Sequence, residues 1–434
     1  MRTTLLLAPV FLLAAPLALR TPAPATTCEE LRSLETFDKV WNTVDRQHFD
    51  PDYNGVDWDA EKDEYRPRAA QAETVEELRE IIREMLAHLG QSHFELIPKE
   101  ALGGGAKGSA ASPAGTCGLD LRWLEGEAVI VRVDPDGAAA LAGVQPGWVL
   151  RGIEETSLDE LLAEAETGKL RTETAMWRAL LGQVDGQIGT EVELAFEDRE
   201  GTTREIVLER TERDAIPFDM PGLPTFFLAN RWDIVEHDLL SIGILHFSNW
   251  FRPLLDPLDE ALLEMRGCDG IVIDLRGNTG GDASVGTGLA GHFFEERVSL
   301  GKQRMRNGTV DFMVRPRRRF SRQRADPFTG PLAILVDETS GSCSEIFTGG
   351  MRALGRARVF GSRTTGAALP ATLTNLPNGD SLMHAIAEFK TALGETLEGD
   401  GVEPDVEVLP RREDWAAGHD RTLEAALEWM AASR

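Results

Sequence analysis

An α/β layered domain, carried behind a helical segment and a small all-β segment, is the architecture that this 434-residue sequence predicts. Three observations predict it. From residue 213 onward, buried-strand patterns alternate with helix patterns, as in a sheet covered by helices. Residues 117–212 hold five short alternating runs separated by turns. Residues 28–98 carry segments with apolar residues at helical spacing. Apolar content of 42% and charged content of 27% are ordinary for a globular chain, and the length suffices for two or three domains with real cores.

Taken in order, the chain opens on Arg2, an apolar run LLLAPVFLLAAPLAL and the A-x-A site Ala23-Pro24-Ala25. This predicts a signal peptide over 1–25 and export to a periplasm or the outside. The run is too short and Pro-broken for a membrane span. Cys28 lies near the mature start, but Ala25-Thr26-Thr27 fits a lipoprotein box poorly, so simple export is the reading. Residues 26–100 form the expected helical domain. LETFDKVWNTVDRQHF and TVEELREIIREMLAHL are its helices, the second opened by a Thr74/Glu77 capping box and closed at Gly90. Residues 101–116, ALGGGAKGSAASPAGT, read as a linker.

In 117–212 the strand candidates are CGLDLRWL, EAVIVRVD, GWVLRGI, TEVELAFED and REIVLER, with a short helix before Val144-Gln145-Pro146-Gly147. This segment resembles a PDZ domain of the bacterial protease type. The resemblance implies that Gly118-Leu119-Asp120-Leu121 offers amides to a peptide's carboxylate while the peptide adds as a strand. The plain alternative is a small β domain with no ligand.

In 213–434 the strands DLLSIGILHF, GIVIDLR, PLAILVD and ARVFG alternate with the helices DPLDEALLEMR, ASVGTGLAGHFF and CSEIFTGGMRALG, and TLEAALEWMAA is a terminal amphipathic helix. Two strand ends carry chemistry. Ser342 stands on a tight strand-to-helix turn, where free helix N–H groups suit an oxyanion. GIVIDLR runs into Gly277, Asn278, Gly280 and Gly281, where backbone amides can approach a ligand, at the end of the sheet where open α/β folds bind ligands.

The net charge, 45 − 72 = −27, disfavours nucleic acid and anionic membrane as partners. No C-x-x-C pair or His-rich cluster suggests a metal, and no cofactor is expected. Cys28, Cys117, Cys268 and Cys343 allow three disulfide pairings or free thiols. Arg315, Arg317, Arg318 and Arg319 read as a solvated loop, with docking of acidic peptide tails as the alternative. His246 and His384 show no usable pattern.

The motifs DLRGNTGGD, ETSGSCSEIFTGGMRALGRARVFGSRTTG and GDGVEPDVEV, in that order, resemble the catalytic domain of the S41 serine peptidases, the family of C-terminal processing peptidases and the tricorn core protease. The resemblance spans essentially the whole mature chain. It implies a crotonase-like (ClpP/crotonase) fold and Ser342 as nucleophile. One departure decides the base. Where the processing peptidases carry lysine in a T-x-G-K-G turn, Thr364-Thr365-Gly366-Ala367-Ala368 has Ala367, and no lysine occurs between Lys302 and Lys390. The tricorn branch is similar to this chain in having Ser-His at a helix end, here Ser92-His93, and a glutamate before G-V-x-P-D, here Glu398. The resemblance therefore implies His93 as the base, oriented by Ser92 and Glu398. It also implies an oxyanion hole from the amides of Cys343 and of Gly280 or Gly281.

Singly, His93 could be a helix-end histidine, Ser342 an N-cap and Glu398 a surface acid. Their joint placement in the motif carries the reading of an exported serine endopeptidase acting on peptides or unfolded proteins. The Cys343 thiol reads as a packing group. Two alternatives follow from the missing lysine: a non-catalytic peptide-binding protein that keeps the fold, and a Ser-Lys enzyme using Lys390. The sequence assigns no oligomeric state.

Overall fold

The computed structural model describes residues 32–102, 114–158, 160, 180–317 and 326–433. The expected signal peptide, Cys28, most of the linker, Arg318 and Arg319 lie outside them. Three helices begin the described chain: α1 (Ser33–Gln47), α2 (Trp58–Gln71) and α3 (Val75–Ala87). Phe37, Val40 and Val44 of α1 and Leu78, Ile82 and Met85 of α3 are fully buried in one core. The Thr74/Glu77 capping box is present. Helix α2 was not marked from sequence, and the reason is physical: of its 14 residues only Trp58, Tyr65 and Ala69 are buried, so no apolar stripe announces it.

The strand β1 (Glu95–Ile97) carries the chain out of this unit. A small β domain follows, with β2 (Gly115–Thr116), β3 (Leu119–Leu124), β4 (Glu127–Val133), the one-turn helix α4 (Ala138–Leu141), β5 (Val149–Ile153), β6 (Thr156–Ser157), β7 (Glu191–Glu197), β8 (Thr203–Glu209) and β9 (Thr211–Glu212). Its main sheet runs β3-β4-β5-β7-β8, every pairing antiparallel. These strands are the five apolar–polar runs read from sequence. Leu121, Ile130, Leu150, Leu194 and Phe196 fill its core.

The hairpin β10 (Ile216–Phe218) and β11 (Phe226–Leu228) leads into the α/β domain. There β12 (Asn230–His237), β13 (Leu240–Phe247), α5 (Leu255–Glu264), β14 (Gly270–Asp274) and α6 (Ala283–Ala290) precede the hairpin β15 (Val298–Met305) and β16 (Gly308–Val314). Then come β17 (Leu332–Val336), α7 (Cys343–Ala353), β18 (Arg358–Gly361), β19 (Ala371–Asn375), β20 (Ser381–Ala385), β21 (Ala387–Thr391), β22 (Val406–Glu407), α8 (Arg412–Ala416) and α9 (Arg421–Ala432). The central sheet is ordered β12-β13-β14-β17-β18-β22, parallel except for the antiparallel edge strand β12.

Alternate residues of each strand serve opposite faces. Ile271, Ile273, Leu332, Ile334 and Val359 pack with α5, α6 and α7. Val272, Ala333, Leu335 and Phe360 pack with Ala426, Leu427 and Met430 of α9. Both faces are covered, so these strands read as continuous apolar runs. The expected mixed α/β layering is present. No helix among the described residues is long and apolar enough to cross a membrane.

Two features bring the N-terminal unit onto this domain. Strand β1 pairs antiparallel with β20, Glu95 opposite Met383. Arg79 of α3, buried, donates to both carboxylate oxygens of Asp380 at 2.9 and 2.7 Å, and the Lys99 amide adds a third bond to that carboxylate.

Candidate active site

The fully buried strand β17 ends at Val336, and the loop Asp337–Gly341 turns toward α7. The Asp337 carboxylate gathers that loop. It accepts from the amides of Thr339 and Ser340, from the Thr339 hydroxyl, and from Gly277 N at the end of the neighbouring strand. Ser342 then adopts φ 53°, ψ −115°. A non-glycine residue there is strained, and such strain persists only where the surroundings over-determine it. Here they do. The Ser342 amide donates to the Ala367 carbonyl and to Glu345 Oε2, each at 3.0 Å. The amides of Glu345 and Ile346 both reach the Ser342 carbonyl, so the backbone closes the helix start.

Glu345 is the part of this turn that was not marked from sequence. Its carboxylate is fully buried and also accepts from Thr364 Oγ1 at 2.6 Å, Gly366 N at 2.7 Å and Ala367 N at 2.9 Å. Burial pushes its pKa up to about 7, against those donors. The Ser-x-x-Glu spacing of a capping box was its only local signal.

Asn278 knits the glycine turn to the Ser342 turn. Its side chain donates to the Phe247 carbonyl and accepts from Gly280 N at 3.0 Å, and its carbonyl accepts from Gly341 N and Ser344 Oγ. Gly280 sits directly against Ser342: a Cβ on it would lie 2.6 Å from Ser342 Cβ and 3.2 Å from Cys343 N, at a φ of +106°. Only glycine permits that approach. Of the expected oxyanion donors, the Gly280 amide is thus engaged by Asn278. The amides of Gly281 and Cys343 have no protein acceptor among the described residues. The Cys343 thiol is buried, and burial raises its pKa beyond the usual thiol range.

The second half of the site comes from the N-terminal unit. After α3 the chain turns at Gly90, and His93 takes φ 60° before β1. Ser92 and His93 are both buried. The Ser92 hydroxyl donates to Glu398 Oε2 at 2.8 Å and lies 2.7 Å from His93 Nδ1; the Ser92 amide donates to Glu398 Oε1 at 2.7 Å. A hydroxyl has one proton. If it goes to Glu398, the oxygen accepts from Nδ1–H, and Nε2 keeps its lone pair. Glu398 also accepts from Ala368 N at 3.0 Å, and burial raises its carboxyl above the usual range.

The two halves therefore meet on one turn. The Ala367 carbonyl holds the Ser342 amide, and the Ala368 amide holds the Glu398 carboxylate behind His93. Ala367 itself is buried, with no group able to take a proton. Lys390, the distant alternative, lies half-exposed on β21 with its ammonium 3.7 Å from Glu388.

The other expected residues are placed as follows. Gly118 donates to Thr116 Oγ1, Leu121 is in the β-domain core, and Asp120 pairs with Arg122 at 2.5 Å. Arg122 reaches across to Asp337 at 3.0 Å, a link that sequence reasoning missed. His246 is 3.8 Å from Asp274, His384 is buried near Thr374, and Arg317 pairs with Asp259. Cys117, Cys268 and Cys343 are free thiols.

Comparison with known proteins agrees with this architecture. The model of peptidase family S41 matches residues 241–408, and that of the tricorn protease C1 domain matches residues 33–87. The chloroplastic C-terminal processing peptidase of Tetradesmus obliquus is 26% identical over 397 residues, 90% of this chain and 79% of that protein. Tricorn protease homolog 1 of Streptomyces coelicolor is 27% identical over 405 residues, 91% of this chain but 34% of that protein, so the chain spans about a third of its length. The solved structure of mature CPAF complexed with lactacystin shares the fold, with a TM-score of 0.61 at 14% identity, covering 94% of this chain and 100% of that one. The chain is thus similar to the S41 serine-type peptidases over residues 241–408 and to the tricorn C1 domain over residues 33–87, with Ser342 on the strand-to-helix turn of the first segment.

Proposed function

We propose that this protein is an exported endopeptidase that cleaves peptides or unfolded proteins through an acyl-enzyme on Ser342, with His93 as the base. In this reading His93 Nε2 takes the Ser342 proton as Oγ attacks the scissile carbonyl, and returns it to the leaving amine. A water deprotonated by the same nitrogen then releases the acyl group. Ser92 and Glu398 hold the Nδ1–H tautomer and favour the imidazolium that forms. The amides of Cys343 and Gly281 receive the oxyanion; Gly280 brings the backbone close enough. The domain would be crotonase-like, and the β domain 117–212 a PDZ-type module that presents peptide termini. The boundaries are those expected from sequence: 26–100, 117–212 and 213–434.

The carrying observation is the shared turn at Ala367-Ala368, which ties the nucleophile's amide and the histidine's carboxylate partner to adjacent peptide units. A serine-reactive fluorophosphonate tests the assignment. Labelling is expected in the native protein and lost in both Ser342→Ala and His93→Ala. Full labelling of His93→Ala would remove His93 as the base. No labelling and no peptide cleavage by the native chain would leave the non-catalytic peptide-binding reading.

A further inference from the structure

We propose that His48, which lies outside every motif of the site, is a positioning residue that holds His93 in its strained conformation. The inference rests on the reading of His93 as the base. His48 follows α1 and is completely buried. Its Nε2 is 2.9 Å from Gln91 Oε1, and Asp50 N donates to its Nδ1 at 3.0 Å. Nδ1 also lies 2.8 Å from the Asp50 carbonyl, so the ring proton can sit on either nitrogen, and the Gln91 side-chain amide meets Nε2 in both cases. The ring face stacks on Phe94, centroids 5.3 Å apart and planes 15° apart, and on Phe49 at 4.8 Å. Gln91 and Phe94 are the residues immediately before and after Ser92-His93. One imidazole thus grips both flanks of the pair, by a hydrogen bond on one side and by stacking on the other.

That grip answers a need. His93 sits at φ 60°, a conformation a histidine leaves unless neighbours over-determine it. Releasing either flank lets the backbone relax and swings the ring off the line to the nucleophile. His48 itself cannot exchange protons with substrate: it is enclosed, both nitrogens are engaged, and burial lowers its pKa so that it stays neutral.

The grip is anchored to the nucleophile side as well. Arg306, in the turn between β15 and β16, donates to the carbonyls of Asp45 at 2.8 Å and His48 at 3.3 Å, closing the end of α1. Strand β15 packs on α7, so closely that a Cβ on Gly350 would sit 2.5 Å from Leu300 Cβ. A continuous path therefore runs from the helix that Ser342 begins, through the β15–β16 hairpin and Arg306, to His48 and the base.

Three variants of the full chain test this, read by kcat and KM on a peptide substrate, by fluorophosphonate labelling rate, and by thermal unfolding. His48→Phe keeps the stacking and loses the Gln91 bond; Gln91→Leu removes the same bond from a half-buried position and carries the test if His48→Phe does not fold. Each is expected to lower kcat and the labelling rate by about 10- to 100-fold, the scale of a sub-ångström to ångström misplacement, with KM within about twofold. The double variant should be no worse than the worse single one, since both remove one contact. Native kcat in folded His48→Phe, or losses that multiply in the double variant, would overturn the proposal while leaving His93 as base. Full labelling of His93→Ala would instead overturn the base assignment itself, and this proposal with it.

Discussion

At Glu345 two opposing effects act on one carboxyl. Burial favours the proton, and four donors aimed at its oxygens favour the charge. With the pKa near 7 against an ordinary 4.5, the folded state binds the proton more tightly than the unfolded chain does. The stability this group contributes is therefore fully present below about 4.5 and is lost as pH rises through about 7. Activity runs the other way, because only the carboxylate can accept from the Ser342, Gly366 and Ala367 amides and the Thr364 hydroxyl together. Lowering the pH from 8 to 6 should cut turnover while this group's contribution to stability grows. Glu345→Gln should behave as the protonated form at every pH. We expect kcat about 10- to 100-fold lower, by misplacement of the nucleophile turn, and loss of that group's share of the pH dependence of unfolding. Unchanged kcat in Glu345→Gln would show that the backbone bonds alone hold Ser342.

At the scale of elements, the site is two turns pressed together, and Gly280 is where they touch. Gly280→Ala places a methyl 2.6 Å from Ser342 Cβ and 2.9 Å from the Gly341 carbonyl, in a left-handed conformation. The turns must part, which moves the Gly281 amide away from its proposed place in the oxyanion hole. Loss of one donor costs about 100-fold or more in rate, and the strained backbone about 1–3 kcal/mol of stability. Kinetics and thermal unfolding check both; an active Gly280→Ala would mean the turns are not a fixed pair. These same elements explain what was legible beforehand. PLAILVD and GIVIDLR announced the sheet because both faces are buried, and GSCSEIF announced the turn because Ser342 lies between a strand and a small-residue helix. Helix α2 was silent because it buries one side by only three residues. Glu345 looked like an ordinary N-terminal helix acid. The Ser92–Glu398 bond joins residues 306 positions apart and Arg122–Asp337 residues 215 apart, separations that motif matching can suggest for the first pair but that no local pattern reveals for the second.

Across the whole molecule, three units meet around the candidate site, and the β domain reaches it through the Arg122–Asp337 ion pair. Arg122 is nearly buried between Asp120 of its own strand and Asp337 of the loop that leads to Ser342. The two carboxylates hold its guanidinium firmly charged, against the cost of burial. Helix α8 holds the same domain a second way: Arg412 reaches Gly147 O at 3.1 Å and Glu197 at 2.7 Å, and Trp415 packs on Leu124, Val129, Val131 and Val149. Removing Arg122 leaves the Asp120 and Asp337 carboxylates facing each other without the cation between them. Breaking one partner of such a pair typically destabilises by about 3–5 kcal/mol, and the partial exposure here puts the expectation at the low end. Asp337 also organises Gly277, Thr339 and Ser340, so the disturbance passes into both turns of the site. Arg122→Met should therefore lower kcat about tenfold or more by that displacement, although the residue lies in another domain. Arg412→Met, which loosens the second fastening without touching Asp337, should lower the melting temperature with a smaller effect on kcat. Equal kcat losses in the two variants would mean that the β domain acts on the site only by staying attached, and that the Arg122–Asp337 bond transmits nothing of its own.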